Sequence, residues 1–176
     1  MSGHVLPLAG STEPWSGGPV TPSVRCVLAP NASPWTLDGT NTWLLSAPGH
    51  RGAAIVDPGP RGAHLDAVRS AVDEADVRVE CVLLTHGHLD HSEGARELGE
   101  LLTVPVRALD PAHRLGDEGL VPGDAVRLDG WHIEVIGTPG HTSDSVAFHL
   151  PHDGSLLTGD TVLGRGTALV AWPDGD

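Results

Sequence analysis

The sequence predicts a layered α/β domain, and three observations carry that reading. Short apolar runs alternate with stretches of helical periodicity, as at Leu65, Val68, Val72 and Ala75. Several of the runs end on polar motifs rich in glycine and histidine, which places functional groups where a rigid scaffold hands over to a loop. A length of 176 residues fits one domain with room for a core.

Residues 1–22 are rich in Gly, Ser and Pro and read as an irregular lead-in, with the domain itself over 23–176. A strand is expected from Val24 to Leu28, then a proline-punctuated loop from Ala29 to Thr36, then a strand around Thr42 to Leu45. Trp35, at the tip of that loop, either walls a pocket or packs on the sheet edge. Ala53 to Asp57 is a short buried strand with Pro58-Gly59-Pro60 as its turn, and Arg61 to Ala75 is an amphipathic helix. The apolar run Val79 to Leu84 leads into a histidine-rich loop, after which Ser92 to Leu102 has helical spacing. Pro105 makes Val104 to Ala108 a short or edge strand, and Asp110 to Gly123 is a polar loop. Trp131 to Ile136 and Ser145 to Leu150 alternate as strands, and Leu156 to Gly159 delivers Asp160.

Thr85 to His91 reads T-H-G-H-L-D-H, with three imidazoles and a carboxylate in six consecutive positions. His86, His88 and Asp90 are two residues apart, so on an extended segment their side chains leave by one face. His91 comes where the chain turns into a helix and is sent another way, so this one segment can serve two metal ions. Further donors close Thr138-Pro139-Gly140-His141 and Thr158-Gly159-Asp160. Neutral imidazoles with carboxylates suit zinc, with iron(II) and manganese fitting where oxygen ligands add weight; magnesium and calcium would not use this many histidines. His4, His50, His64, His113, His132, His149 and His152 fall outside any ligand pattern and read as surface or capping residues.

With H-x-H-x-D-H followed by a separate Gly-His and Gly-Asp, the sequence resembles the metallo-β-lactamase superfamily. Gly39 to Leu45 and Ile55-Val56-Asp57-Pro58-Gly59 look like its early strands, and Thr138 to Ser145 with Thr158 to Gly164 look closest to the β-lactamase-like protein 2 branch, with glyoxalase II next. The resemblance implies an αββα sandwich. It also implies that His86, His88 and His141 hold one metal ion, that Asp90 and His91 hold a second, and that Asp160 bridges them. Two zinc ions would acidify a bound water whose hydroxide attacks an electrophilic carbon or phosphorus, with Asp90 steering its proton as well as ligating. Asp160 stands where the antibiotic-cleaving members generally carry cysteine or serine, which favours an ester-like bond, thioester or phosphodiester. The family uses a late histidine for its second metal, and no histidine follows Asp160 here. The chain is therefore expected to be C-terminally incomplete, with the second half of the sandwich unfinished and a weakened second metal position. Asp57 is expected to hydrogen-bond around a metal ligand or to cap its turn.

The formal net charge of -13, with no lysine at all, argues against broad nucleic-acid binding and leaves a small-molecule or nucleotide-like substrate. Arg107, Arg114 and Arg165 read as solvated surface arginines rather than a basic strip. Cys26 and Cys81 form no disulfide framework and read as reduced, buried thiols. The opening residues lack a signal-peptide pattern and no stretch approaches transmembrane length, so the expected location is the cytoplasm without membrane contact; an oligomer is left open. The expected activity is that of a dinuclear zinc hydrolase. Its rivals are a glyoxalase II-type thioesterase acting on acylated glutathione, and a catalytically inert metal-binding fragment.

Overall fold

A computed structural model of the chain describes residues 14–175. Strands β1 (Gly18–Thr21), β2 (Val24–Leu28), β3 (Asn41–Ser46) and β4 (Gly52–Val56) form an antiparallel series. Every residue of β4 is buried, as its unbroken small and apolar sequence requires. Helix α1 (Ala63–Ala75) then crosses back to β5 (Arg78–Leu83), which pairs parallel to β4. The short α2 (Leu89–Ser92) and α3 (Ala95–Leu102) make a second crossover to β6 (Val106–Arg107), parallel to β5 and at the sheet edge. The six strands lie in the order of the sequence.

A second sheet follows from β7 (Ala125–Leu128), β8 (Trp131–Gly137), β9 (Val146–Leu150) and β10 (Ser155–Leu157), all antiparallel. Two apolar clusters divide the interior. One joins Leu45, Val56 and Leu83 to Ile133, Phe148 and Leu150 between the sheets. The other joins Ile55 and Val82 to Leu65 and Val68 of α1 and Leu98 of α3, on the outer face of the six-stranded sheet. Among the described residues the layers thus run helix, sheet, sheet, as expected for the α/β class. No described helix is long and apolar enough to cross a membrane.

The strands and the first helix expected from the sequence are present to within two residues at most ends. Three differences have physical causes. Gly18–Thr21 was expected to be irregular, and it is strand β1: pairing with β2 orders it, and Pro19 is tolerated because β1 is the outermost strand. Of the rest of that segment, residues 14–17 have no regular structure, and residues 1–13 with His4 lie outside the described residues. Strand β7 was not anticipated, although Asp129-Gly130 between it and β8 is a hairpin turn signal. The helix expected over 92–102 is two helices, broken at Gly94, where a Cβ would stand 2.9 Å from the Gly59 carbonyl oxygen.

Candidate metal centre

Four strand ends converge on one place. The turn after β4 brings Asp57, the loop after β5 brings Thr85 to His88, the loop after β8 brings His141, and the 3-10 turn after β10 brings Asp160. His86 Nε2 lies 3.1 Å from His88 Nδ1, which lies 3.0 Å from His141 Nε2. His86, His91 and Asp160 form a second group sharing His86, and donor atoms within each group are no more than 4.8 Å apart. Asp160 spans the two, with Oδ2 at 3.6 Å from His141 Nε2 and Oδ1 at 3.4 Å from His91 Nε2. Asp90 Oδ2 lies 3.3 Å from His91 Nε2.

The surrounding hydrogen bonds aim these rings. Thr85 has one hydroxyl proton, and it goes to Asp57 Oδ2 at 2.6 Å. Thr85 Oγ therefore accepts from His86 Nδ1–H at 3.0 Å, which leaves an unshared pair on His86 Nε2 facing the cluster. His91 Nδ1 donates to Asp57 Oδ2 at 2.9 Å and turns Nε2 inward. His141 Nδ1 donates to the Leu169 carbonyl at 2.5 Å and turns Nε2 inward too. Asp90 accepts from Thr40 at 2.8 Å, and Thr40 is itself held by both ends of the Asn31 amide. Asp57, with its backbone in the left-handed region at φ 50, is thus the buried carboxylate that ties β4, β5 and α2 together.

Behind Asp57 lies a fifth ring. Thr42 donates its hydroxyl proton to the Asp57 carbonyl at 2.7 Å, so His64, 2.8 Å away, donates to Thr42 through Nε2. The expectation that His64 is a surface or capping residue is corrected: it is 3% exposed, and burial lowers its pKa and keeps the ring neutral.

Charge is strongly organised in the metal-free chain. Burial and the facing His91 push His86 down to about 3. Burial alone would push His91 the same way, but Asp57, Asp160 and Asp90 outweigh it and raise His91 well above its ordinary value. Burial works against the charge on Asp90 and Asp160, yet hydrogen bonds and attraction from His91 hold both below the usual carboxylate range.

A cavity of about 490 Å³ opens onto Asp90, His91 and Asp160. Trp35, 78% exposed, stands among its lining residues and not against a sheet edge. Arg165 also lines it, exposed as expected for a surface arginine, and is bound to Asp38 through both terminal nitrogens, at 2.5 and 2.9 Å. Arg107 faces Glu118 at 3.4 Å and Arg114 donates to the Ala108 carbonyl, so these arginines make no basic strip. Cys26 and Cys81 are free and buried, and burial raises both thiols to about 12.

All six residues read as ligands, His86, His88, Asp90, His91, His141 and Asp160, meet in this one centre. The residues that orient them, Thr40, Thr42, Thr85, His64 and the Leu169 carbonyl, carried no sequence signal, because each acts through a partner distant in the chain or through backbone.

A family model described as the metallo-β-lactamase superfamily matches residues 35–176. The chain is 33% identical over 154 residues to an atrochrysone carboxyl ACP thioesterase of Paecilomyces divaricatus, which covers 86% of this chain and 48% of the relative. It is 31% identical over 156 residues to a β-lactamase-like protein 2 homolog of Caenorhabditis elegans, covering 84% of this chain and 52% of the relative. The chain spans about half the length of the curated relatives it matches. Among solved structures it superposes on ETHE1 from Myxococcus xanthus with a TM-score of 0.69 at 27% identity, covering 87% of this chain and 64% of the other.

Proposed function

Because the chain belongs to the metallo-β-lactamase superfamily, we propose that its histidine cluster is the centre of a dinuclear zinc hydrolase acting on an ester-like bond, thioesters first. One observation carries this reading: His86 Nε2 and His141 Nε2 stand 3.1 and 3.0 Å from His88 Nδ1, while Thr85 and the Leu169 carbonyl engage the outer nitrogens of His86 and His141. With the His86 and His141 protons directed outward, at most one proton, on His88 Nδ1, is left to hold these three nitrogens together without a cation. Nitrogens about 2.0–2.1 Å from a tetrahedral zinc ion stand about 3.3 Å apart, so a shared cation fits the set with little movement.

His86, His88 and His141 would hold the first ion, His91 and Asp90 the second, with Asp160 between them. When bound, the ions supply an acidified water and a Lewis acid for the carbonyl oxygen. The side chains do the rest. Asp57 keeps the His91 proton on Nδ1 and so keeps Nε2 free; Thr85 does the same for His86. Asp90, fixed by Thr40, is placed to accept the proton from the attacking water. The water oxygen bonds to the acyl carbon, the carbon–sulfur bond breaks, and the departing thiolate takes up a proton, giving a carboxylate and a thiol. The thioesterase names of relatives near one-third identity support the thioester over the phosphodiester.

The test is turnover by the zinc-loaded chain of a thioester and of bis(p-nitrophenyl) phosphate, each with its His86→Ala counterpart. Thioester hydrolysis lost in the variant is the expected result. Turnover that survives His86→Ala, or none with either substrate, contradicts the reading.

A further inference from the structure

The cavity beside the metal centre is built unlike a site for a charged group. Trp15, Trp43, Leu37, Leu157 and Leu163 form much of its wall, and it reaches the centre from the Asp90, His91 and Asp160 side. The polar handles of Trp15 are already engaged by the scaffold: its backbone N–H donates to Asp38 at 3.2 Å and its indole N–H to Asn41 at 2.7 Å. What it offers the cavity is the ring. Around the same space Trp35, Val162 and Leu156 are 78%, 64% and 52% exposed, a concentration of apolar surface that water does not favour.

Charge in the wall points the same way. Among the described lining residues Arg165 is the one guanidinium, and its fork is closed on Asp38. Away from the metal centre itself, a phosphate or a carboxylate entering here would meet Asp38 and find no guanidinium left free in the described wall. A flat, uncharged, apolar group meets indole faces and leucine side chains instead.

We infer that this cavity is the acyl pocket of the proposed hydrolase and selects bulky, uncharged, aromatic or long apolar acyl groups, with Trp15, Trp35 and Trp43 as the specificity-determining residues. The inference rests on the thioester reading above. The polar thiol arm of such a substrate lies outside the pocket, and the carbonyl carbon sits at its inner end beside Asp90 and Asp160.

The experiment uses zinc-loaded full chain and four thioesters of N-acetylcysteamine: acetyl, succinyl, hexanoyl and 2-naphthoyl. kcat/KM is expected to rise from acetyl to naphthoyl by at least about tenfold from the added apolar burial, with succinyl slowest. Trp35→Ala, at an exposed position, should lower the naphthoyl-to-acetyl ratio of kcat/KM several-fold, and Trp35→Phe should restore most of it. Calorimetric titration with 2-acetonaphthone, which has no scissile bond, reads the pocket without turnover and should show binding weakened by Trp35→Ala. Equal rates across the series, or a preference for succinyl, overturn the acyl pocket and leave the hydrolase standing. Absent turnover with intact, Trp35-dependent ketone binding upholds the pocket and sinks the hydrolase. Neither turnover nor binding overturns both.

Discussion

Asp57 shows how much one buried carboxylate organises. It receives the Thr85 N–H at 2.8 Å, the Thr85 hydroxyl at 2.6 Å and the His91 ring at 2.9 Å while 2% exposed. Asp57→Ala removes the partner of every one of these groups at once, and it is expected to destabilise the chain by about 3–5 kcal/mol in urea denaturation. The titrating rings set a second expectation, for the metal-free chain. His86, held down to about 3 by burial and His91, binds its proton in the unfolded chain first, so stability falls as pH drops from 6.5 toward 3. His91, raised above 6.5 chiefly by Asp57 against the pull of burial, contributes stability that is complete below 6.5 and is lost as pH rises through its folded value. Thermal melts in the presence of a chelator should therefore peak near neutral pH and decline on both sides; a profile that keeps rising through alkaline pH would contradict the assignment of a proton to His91. Ligand residues were legible because their spacing is local. His64 was not, since nothing in Gly62-Ala63-His64-Leu65 announces that α1 turns its ring onto Thr42.

At the level of elements, the centre depends on close approach between loops. Gly159 has φ +52, and a Cβ there would stand 2.7 Å from Thr85 Oγ. Gly159→Ala must push Asp160 away from His91 and His141 or displace Thr85 from Asp57. Metal affinity is expected to fall roughly ten- to hundredfold, measured by competition with a chromophoric chelator. The β9 strand carries the inter-sheet core through Phe148, wholly buried, and Phe148→Ala should cost about 3–5 kcal/mol. The apolar periodicity of α1 and the run of β5 gave those elements away in sequence. Strand β1 was hidden because its four residues, one of them proline, become a strand only through pairing with β2, and β7 because its alternation spans only the four residues Ala125–Leu128.

For the molecule as a whole, two sheets meet face to face, and every candidate ligand stands in a turn or loop after one of their strands or, for Asp90 and His91, in the short helix α2 that opens the next crossover. The centre joins the two halves of the domain: His86, His88, Asp90 and His91 come from the six-stranded sheet and its crossover, His141 and Asp160 from the four-stranded sheet. Bound cations would therefore crosslink the sandwich. Metal at a thousand times its dissociation constant should stabilise the fold by about 4 kcal/mol, seen as a raised melting temperature that a chelator reverses. The layered α/β class was legible because alternating strands and helices leave few other ways to bury their apolar faces. How the two halves are set against each other was not, because that depends on contacts such as the Trp131 indole N–H donating to the Gly52 carbonyl at 3.0 Å, 79 residues apart. The most direct test of the central claim is metal content by elemental analysis after dialysis, for the chain and for His86→Ala. Two zinc equivalents per chain, with less than one left in the variant, is the predicted result. One equivalent or less in the unaltered chain, or content unmoved by His86→Ala, would contradict it.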